Sequence, residues 1–353
     1  MQIKEYGSDF HYPSTLLKSI NSEDLLKLEY FPDNQSLYYS GRCALYSLLE
    51  FGIKSKGWKK VYLPSFYCHE VDNFINDLGV VLTYYNFNPF DSNNIDFNHI
   101  EDSDQCVIVN VNFFGLNSAD LTPLKNLIKI DDITHNLQFA LKSNAHYCFA
   151  SLRKELPVPV GGILFSNKNL ELPIGTQYQE NEIFALDKIL AMRLKEQYLS
   201  GSSMVEKNQF REISERIEEK FPMVNKASAL PEIAFYILKR LPINRILEKK
   251  QDNLKLALVN LKIDKRLLRI NLNQTSDNAF GLVLEFNSNT KRENFKKYLI
   301  ANNVYPAVLW PNQISDFDKE VESRLLFVHI DYRYNKKEII EVVKIMNKYF
   351  INV

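Results

Sequence analysis

The run CVIVNVNFF at residues 106–114 constrains the fold more than any other stretch of the chain. Seven of its nine residues are apolar, four of them in an unbroken run from Cys106 to Val109. Such a run reads as a strand covered on both faces, as at the centre of a parallel sheet. Parallel neighbours need crossover connections, usually helices, so helix and strand patterns should alternate around it. They do. ALYSLLEFGI carries apolar residues at helical spacing, KKVYLPS is a short strand ended by Pro64, and VDNFINDLG is a helix stopped at Gly79. VVLTYYNF reads as a strand. After residues 106–114, LTPLKNL reads as a short helix, IKI (128–130) as a strand, and AHYCFAS and GGILFSN as two more. This order predicts the α/β class.

At 353 residues the chain exceeds one average domain. Residues 181–261 read as mostly helical, with apolar residues every three or four positions in NEIFALDKILAMRLKEQYL and EIAFYILKRL. The remainder changes character. AFGLVLEF (279–286) is a strand, and Thr290 with Glu293 predicts a capping box for a helix through Phe295, Tyr298 and Leu299. VYPAVLW and RLLFVHI read as strands. Asn335 and Glu338 cap a last amphipathic helix carrying Ile339, Val342, Val343, Met346 and Phe350. The expected organisation is an N-terminal arm over residues 1–24, a large α/β domain over 25–240 and a small α+β domain over 241–353.

Lys plus Arg and Asp plus Glu both number 43, and no long basic run occurs, which argues against a nucleic-acid partner. No apolar run approaches membrane-spanning length, and the opening MQIKEYGSDF has no apolar signal core. A cytoplasmic protein without membrane association is expected. Cys43, Cys68, Cys106 and Cys148 show no C-x-x-C spacing, and the six histidines show no metal-binding spacing. Neither a disulfide framework nor a metal site is expected.

In an open α/β sheet, ligands bind outside the carboxyl ends of the strands. Four segments near such places carry chemistry. Ser40-Gly41-Arg42-Cys43 runs into a helix, and a helix start offers unpaired N–H groups and a positive dipole end to a phosphate; otherwise it is a plain turn capped by Ser40. Phe66 and Tyr67, beside Cys68, could wall a flat ring or belong to the core. Asp131-Asp132, at a strand end and followed by His135, could face a cationic ring nitrogen or cap a helix. In Ser151-Leu152-Arg153-Lys154, the neighbouring guanidinium and partial burial would lower the lysine pKa and free its amine to form an imine; the plainer reading is a surface lysine. A phosphate cradle, a ring wall, a pyridinium partner and an imine-forming lysine, in that order, are what pyridoxal phosphate (PLP) requires.

On SGRCALYSLL, VYLPSFYCHEV, VIVNVNFFGL, IKIDDITHN and FASLRKELPVPVGGILFS the sequence resembles the fold type I PLP enzymes. Within them it resembles the DegT/DnrJ/EryC1/StrS group, mostly sugar aminotransferases. The match covers residues 36–167, and the rest agrees by layout. The resemblance implies a three-layer PLP-dependent transferase domain, aspartate aminotransferase-like, with a smaller C-terminal α+β domain. It implies phosphate contacts at Gly41, Arg42, Cys43 and Ser151, a pyridinium partner in Asp132, His135 near the ring hydroxyl, and Lys154 as covalent anchor and proton shuttle. There are departures. The ring-stacking aromatic falls on Cys68, with Tyr67 or Phe66 as substitutes. The usual small residue of the phosphate loop is Arg42, the usual acid before Gly161-Gly162 is Val160, and Lys154 follows Ser151 by only three positions.

The implied activity is ping-pong transfer of an amino group, from glutamate, to a nucleotide-linked keto-sugar by a homodimer. Asn225 or Ser228 of one copy would reach the phosphate of the other. A dehydratase or epimerase on the same scaffold, and a non-catalytic PLP-binding homologue, are the alternatives. Sugar dehydratases resembling this group replace the lysine, so Lys154 favours transamination. GSDFH and NNVYPAVLWP are expected along the substrate cleft.

Overall fold

A computed structural model describes residues 4–18, 28, 30–90, 95–262, 268–269 and 279–351. The expected boundary between arm and large domain, at residues 24–25, lies outside the described residues. The arm contributes β1 (Tyr6–Gly7) and α1 (Ser14–Lys18). The alternating region then gives β2 (Gln35–Tyr38), α2 (Gly41–Lys56), β3 (Lys60–Pro64), α3 (His69–Ile75), β4 (Val81–Tyr85), β5 (Cys106–Val111), β6 (Ile128–Asp132), β7 (Tyr147–Ser151) and β8 (Gly162–Phe165). Strands β2 to β8 form one sheet in the order β2-β8-β7-β6-β5-β3-β4. Strands β3 to β7 are mutually parallel, while β8 runs antiparallel to β7 and β2 antiparallel to β8. Strand β5 sits in the interior of this sheet, and all its residues except Asn110 are buried, as its apolar run requires.

The helical middle is α4 (Gln179–Leu199), α5 (Lys207–Lys220), α6 (Glu232–Leu238) and α7 (Ile243–Asn260). The C-terminal part contains β9 (Leu268–Arg269), β10 (Leu282–Phe286), α8 (Asn289–Ala301), β11 (Val304–Tyr305), α9 (Asp316–Arg324), β12 (Leu325–Val328) and α10 (Lys336–Ile351). Its antiparallel sheet has the order β12-β10-β9. Strand β1 of the arm pairs in parallel with β11 of this part, while Phe10, Tyr12, Leu16 and Leu17 of the arm pack against the core of the large sheet. Two apolar cores result. Helix α7 gives Ile243, Ile246 and Leu247 to the first and Leu254 and Ala257 to the second.

Several local expectations are corrected. LTPLKNL does not form a helix. Its three leucines mimic helical spacing, but the amides of Lys125, Asn126 and Leu127 donate instead to the Asp102 carboxylate at 2.8, 2.8 and 2.9 Å. Helix α8 begins two residues before the expected box, because Ser288 rather than Thr290 is its N-cap. Of VYPAVLW only Val304 and Tyr305 form a strand. Helix α9, capped by Ser315, was not anticipated between the last two strand segments. The final helix is capped as expected: Asn335 N–H donates to Glu338 Oε2 at 2.8 Å and Glu338 N–H to Asn335 Oδ1 at 3.1 Å.

Candidate active site

The C-terminal ends of β6 and β7, the start of β8 and the N-terminus of α2 converge on one corner. Ser40 caps α2 by accepting from Cys43 N–H at 3.2 Å, while the Gly41 and Arg42 amides, in the first turn, have no acceptor inside the helix. The approach of α2 to the sheet depends on two missing side chains. A Cβ on Gly41 would lie 3.0 Å from Ser151 N, and one on Gly162 only 2.1 Å from the Ser40 carbonyl oxygen. Two guanidinium groups flank the corner over a shared ring. Arg42 lies 4.0 Å and Arg153 5.8 Å from the centre of Phe221. Arg42 pairs with Glu70 at 2.8 Å and Arg153 with Glu218 at 3.3 Å. Cys43 is the exception in this group: its thiol is buried, and its amide is already used by the cap.

A 3₁₀ turn, Leu152–Lys154, follows β7 and carries Lys154 into a cleft of about 560 Å³. Its side chain is open to that cleft, yet desolvation by the surrounding protein and the Arg153 charge lower its pKa from the ordinary 10.5, with Cys68, Asp9 and Glu218 opposing. Cys68, the half-buried N-cap of α3, has its thiol pKa raised by burial and by Glu70, against Lys154 and Arg42. These mutual effects group Cys68, Arg42 and Lys154.

Asp132 ends β6 and is buried. Its Oδ2 accepts from the Tyr67 hydroxyl at 2.6 Å and its Oδ1 from Thr134 N–H at 2.9 Å. Burial pushes its pKa up, and these hydrogen bonds oppose the shift. The Thr134 hydroxyl accepts in turn from Ser151 N–H at 3.0 Å, which links the ends of β6 and β7. Asp131 points to the other face, as strand alternation requires, and accepts from Ser143 Oγ at 2.5 Å and Asn110 Nδ2 at 3.3 Å. It is buried, not solvated. Tyr67 is fully buried and aims its hydroxyl at Asp132, and Phe66 lies in the core against Phe113 and Trp310. Of these three neighbours, Cys68 is the one grouped with Lys154.

His135 sits in an aromatic stack. Its ring is stacked on Phe280 at 4.3 Å and on Trp310 at 5.0 Å, and its Nδ1 is buried without a hydrogen-bond partner. Burial, then the charges of Lys154 and Lys250, lower its pKa to about 3, so the imidazole is neutral. Ser228, fully buried, donates to the Asn225 carbonyl at 2.6 Å and so points inward, whereas Asn225 is exposed.

Ser8, Asp9 and Phe10 of the arm, and Tyr305 to Ala307 with Leu309, line the cleft, as GSDFH and NNVYPAVLWP led us to expect. Sequence reading missed the third wall. Lys188 and Lys195 of α4 face the cleft from buried positions; Lys188 pairs with Asp9 at 3.2 Å and Lys195 donates to the Asp9 carbonyl. The inward lysines were hidden by the apolar periodicity of the same helix, which suggested that its Ile and Leu residues would face in.

The sequence matches no family model and no curated protein. Solved structures do match. PseC of Helicobacter pylori, an aminotransferase in pseudaminic acid biosynthesis, has a TM-score of 0.63 at 12% identity, covering 99% of this chain and 100% of that one. The aminotransferase TlmJ of Streptoalloteichus hindustanus has a TM-score of 0.61 at 11% identity, covering 100% and 99%. The PLP form of the putative sugar aminotransferase Spr1654 of Streptococcus pneumoniae has a TM-score of 0.60 at 12% identity, covering 100% and 99%. The chain has the PLP-dependent aminotransferase fold. The corner is chemically suited to such a cofactor: first-turn amides beside a glycine that a Cβ would crowd, two guanidinium groups for a phosphate, a buried carboxylate for a ring nitrogen, and a lysine of lowered pKa facing a cleft.

Proposed function

We propose that the protein is a PLP-dependent aminotransferase of the DegT/DnrJ/EryC1/StrS type, moving an amino group from glutamate to a nucleotide-linked keto-sugar by a ping-pong scheme. The observation that carries this reading is Lys154, an amine of lowered pKa that opens with Arg153 into the cleft. When bound, PLP supplies an electron-withdrawing ring that stabilises negative charge on the carbon bearing the amino group. The amides of Gly41 and Arg42, the Arg42 guanidinium and the Ser151 hydroxyl would bind its phosphate. Asp132 would stand beside the ring nitrogen; burial alone pushes this carboxyl toward its neutral form, and a cation next to it would restore the carboxylate. Lys154 Nζ would take the proton from the α-carbon of the amino donor and later deliver one to the carbon that was the carbonyl of the sugar. Neutral His135 would serve the ring hydroxyl, and Cys68 would lie against the ring face. Lys188 would attract the anionic groups of donor and acceptor, and so would Lys195 once an anion beside it raises its lowered pKa.

A homodimer and a cytoplasmic location belong to the same proposal. Among the described residues, no helix is long and apolar enough to cross a membrane. Helix α4 supports the dimer. It buries its lysines yet leaves Ile183, Leu186 and Leu190 at 57%, 52% and 49% exposure, a stripe spaced i, i+3, i+7 that a second copy would cover.

The test is borohydride reduction of the PLP-loaded protein followed by peptide mapping. The pyridoxyl group should lie on Lys154, and Lys154→Ala should fold but trap nothing. Adding glutamate should bleach the absorbance of the lysine-bound cofactor; a non-catalytic homologue would leave it unchanged. Label on another lysine would overturn the assignment.

A further inference from the structure

Glu155, the residue after Lys154, is buried, and one carboxylate holds three pieces of the site together. Its Oε1 accepts from Leu137 N–H at 3.2 Å, just beyond His135. Its Oε2 accepts from Lys250 Nζ of α7 at 2.5 Å, and the two side chains are only 1% and 5% exposed. Lys250 also acts electrostatically on His135. Further along the same helix, Asn253 Nδ2 donates to the carbonyls of Asp331 and Tyr334, both at 2.8 Å. Arg333, between them, pairs with Asp331 at 2.7 Å and donates to the carbonyls of Gly7, Ser8 and Asp9 at 3.3, 3.1 and 3.0 Å. Those residues belong to the arm, whose Ser8 and Asp9 line the cleft with Lys154. Helix α7 is therefore pinned at one place to the lysine turn and at another to the turn that grips the arm.

A buried ion pair is a poor device for stability alone, since desolvation offsets the attraction and well-packed apolar side chains of similar size do as well. What it adds is a fixed geometry: a carboxylate with two donors admits few arrangements. We propose that Glu155 and Lys250 are a positioning pair that sets the Lys154 amine and the His135 ring in register with α7, and through α7 with the arm across the cleft. The catalytic consequence rests on the aminotransferase reading; the effect on Lys154 does not.

The double variant Glu155→Leu/Lys250→Met replaces the pair with apolar groups and should fold with a melting temperature near that of the wild type. In cofactor-free protein, the rate of reductive methylation of Lys154, read by mass spectrometry against Lys188 in the same sample, should change at least roughly three-fold, and in the loaded enzyme kcat should fall roughly 10- to 100-fold with KM nearly unchanged, the signature of a misplaced reacting group. Lys250→Arg, which keeps the charge, should retain most of what Lys250→Met loses. Should the double variant fail to fold, Glu155→Gln keeps the shape and should still shift the Lys154 labelling rate. A folded variant with unchanged labelling and kcat, or a Lys250→Arg no better than Lys250→Met, overturns the proposal. If wild-type protein neither binds PLP nor turns over, the functional reading fails while the labelling comparison still decides the role of the pair.

Discussion

Lowering the pH from 7 to 5 should expose the cost of keeping His135 neutral. The ring lies between Phe280 and Trp310 with Lys154 and Lys250 acting on it, and its pKa is about 3 against 6.5 for an ordinary histidine. Below pH 6.5 the unfolded chain binds a proton at this residue and the folded protein does not, so stability falls as the pH falls. Integrating the difference in bound protons from pH 7 to pH 5 gives a loss of about 2 kcal/mol, and by pH 4 about 3 kcal/mol. His135→Phe keeps an aromatic ring in the stack and removes the titration. The assay is urea unfolding of both proteins at pH 7, 6 and 5, with stability extrapolated linearly to water. The wild-type advantage over the variant should shrink by about 2 kcal/mol across that range. His11 and His329, each with a pKa lowered to about 4, contribute to both proteins alike and cancel in the difference. Curves that stay parallel from pH 7 to pH 5 would refute the reasoning, since they would mean that the folded protein accepts the proton as readily as the unfolded chain.

Lys195 works in the opposite window: burial, then Arg333, lowers its pKa from 10.5 to about 7, so between those values the unfolded chain holds the extra proton and stability should rise with pH. Relative to Lys195→Met, the wild type should gain up to about 1.4 kcal/mol per pH unit between pH 7.5 and 9.5, measured by urea unfolding, and a flat difference would count against it. Asp132→Asn should slow the half-reaction with an amino donor roughly 100- to 1000-fold, and Asp131→Asn, on the other face of β6, far less; stopped-flow absorbance reads both, and equal slowing would mean the two faces are misassigned. Gly162→Ala would drive a Cβ to 2.1 Å from the Ser40 carbonyl and should cost on the order of 3 kcal/mol in chemical denaturation, whereas Gly57→Ala, whose Cβ meets nothing within 4 Å and strains only φ, should cost less.

The parts of this structure written in local pattern could be read from the sequence. The apolar run of β5 demanded a doubly covered strand, and the alternation of Asp131 and Asp132 followed from the extended geometry of β6. Ser40 and Asn335 announced their helices because capping needs only nearby residues. What escaped depends on partners far away in the chain. LTPLKNL has helical spacing, but its amides are taken by Asp102, more than twenty residues earlier. Helix α9 has few apolar residues, since only Asp318 and Val321 are buried, and so it shows little periodicity. Four residues of β2, three of them half-buried, carry too little pattern to read as a strand. At the site, nothing local says that the Tyr67 hydroxyl would point at Asp132, 65 residues on, or that Glu155 would find Lys250, 95 residues on.

The grip of Arg333 on the arm bears on how the protein is made. The Gly7 N–H donates to the Tyr334 hydroxyl across 327 positions, and β1 finds its partner strand only at Val304 and Tyr305. During synthesis the first strand therefore has no native neighbour until nearly all of the described chain has been made, and closing so long a loop is slow relative to local contacts. The lysine corner, whose pieces all lie between Ser40 and Lys250, can be complete before then. The corner can thus form before the cleft closes, leaving a nascent intermediate with its lysine in place and one cleft wall missing.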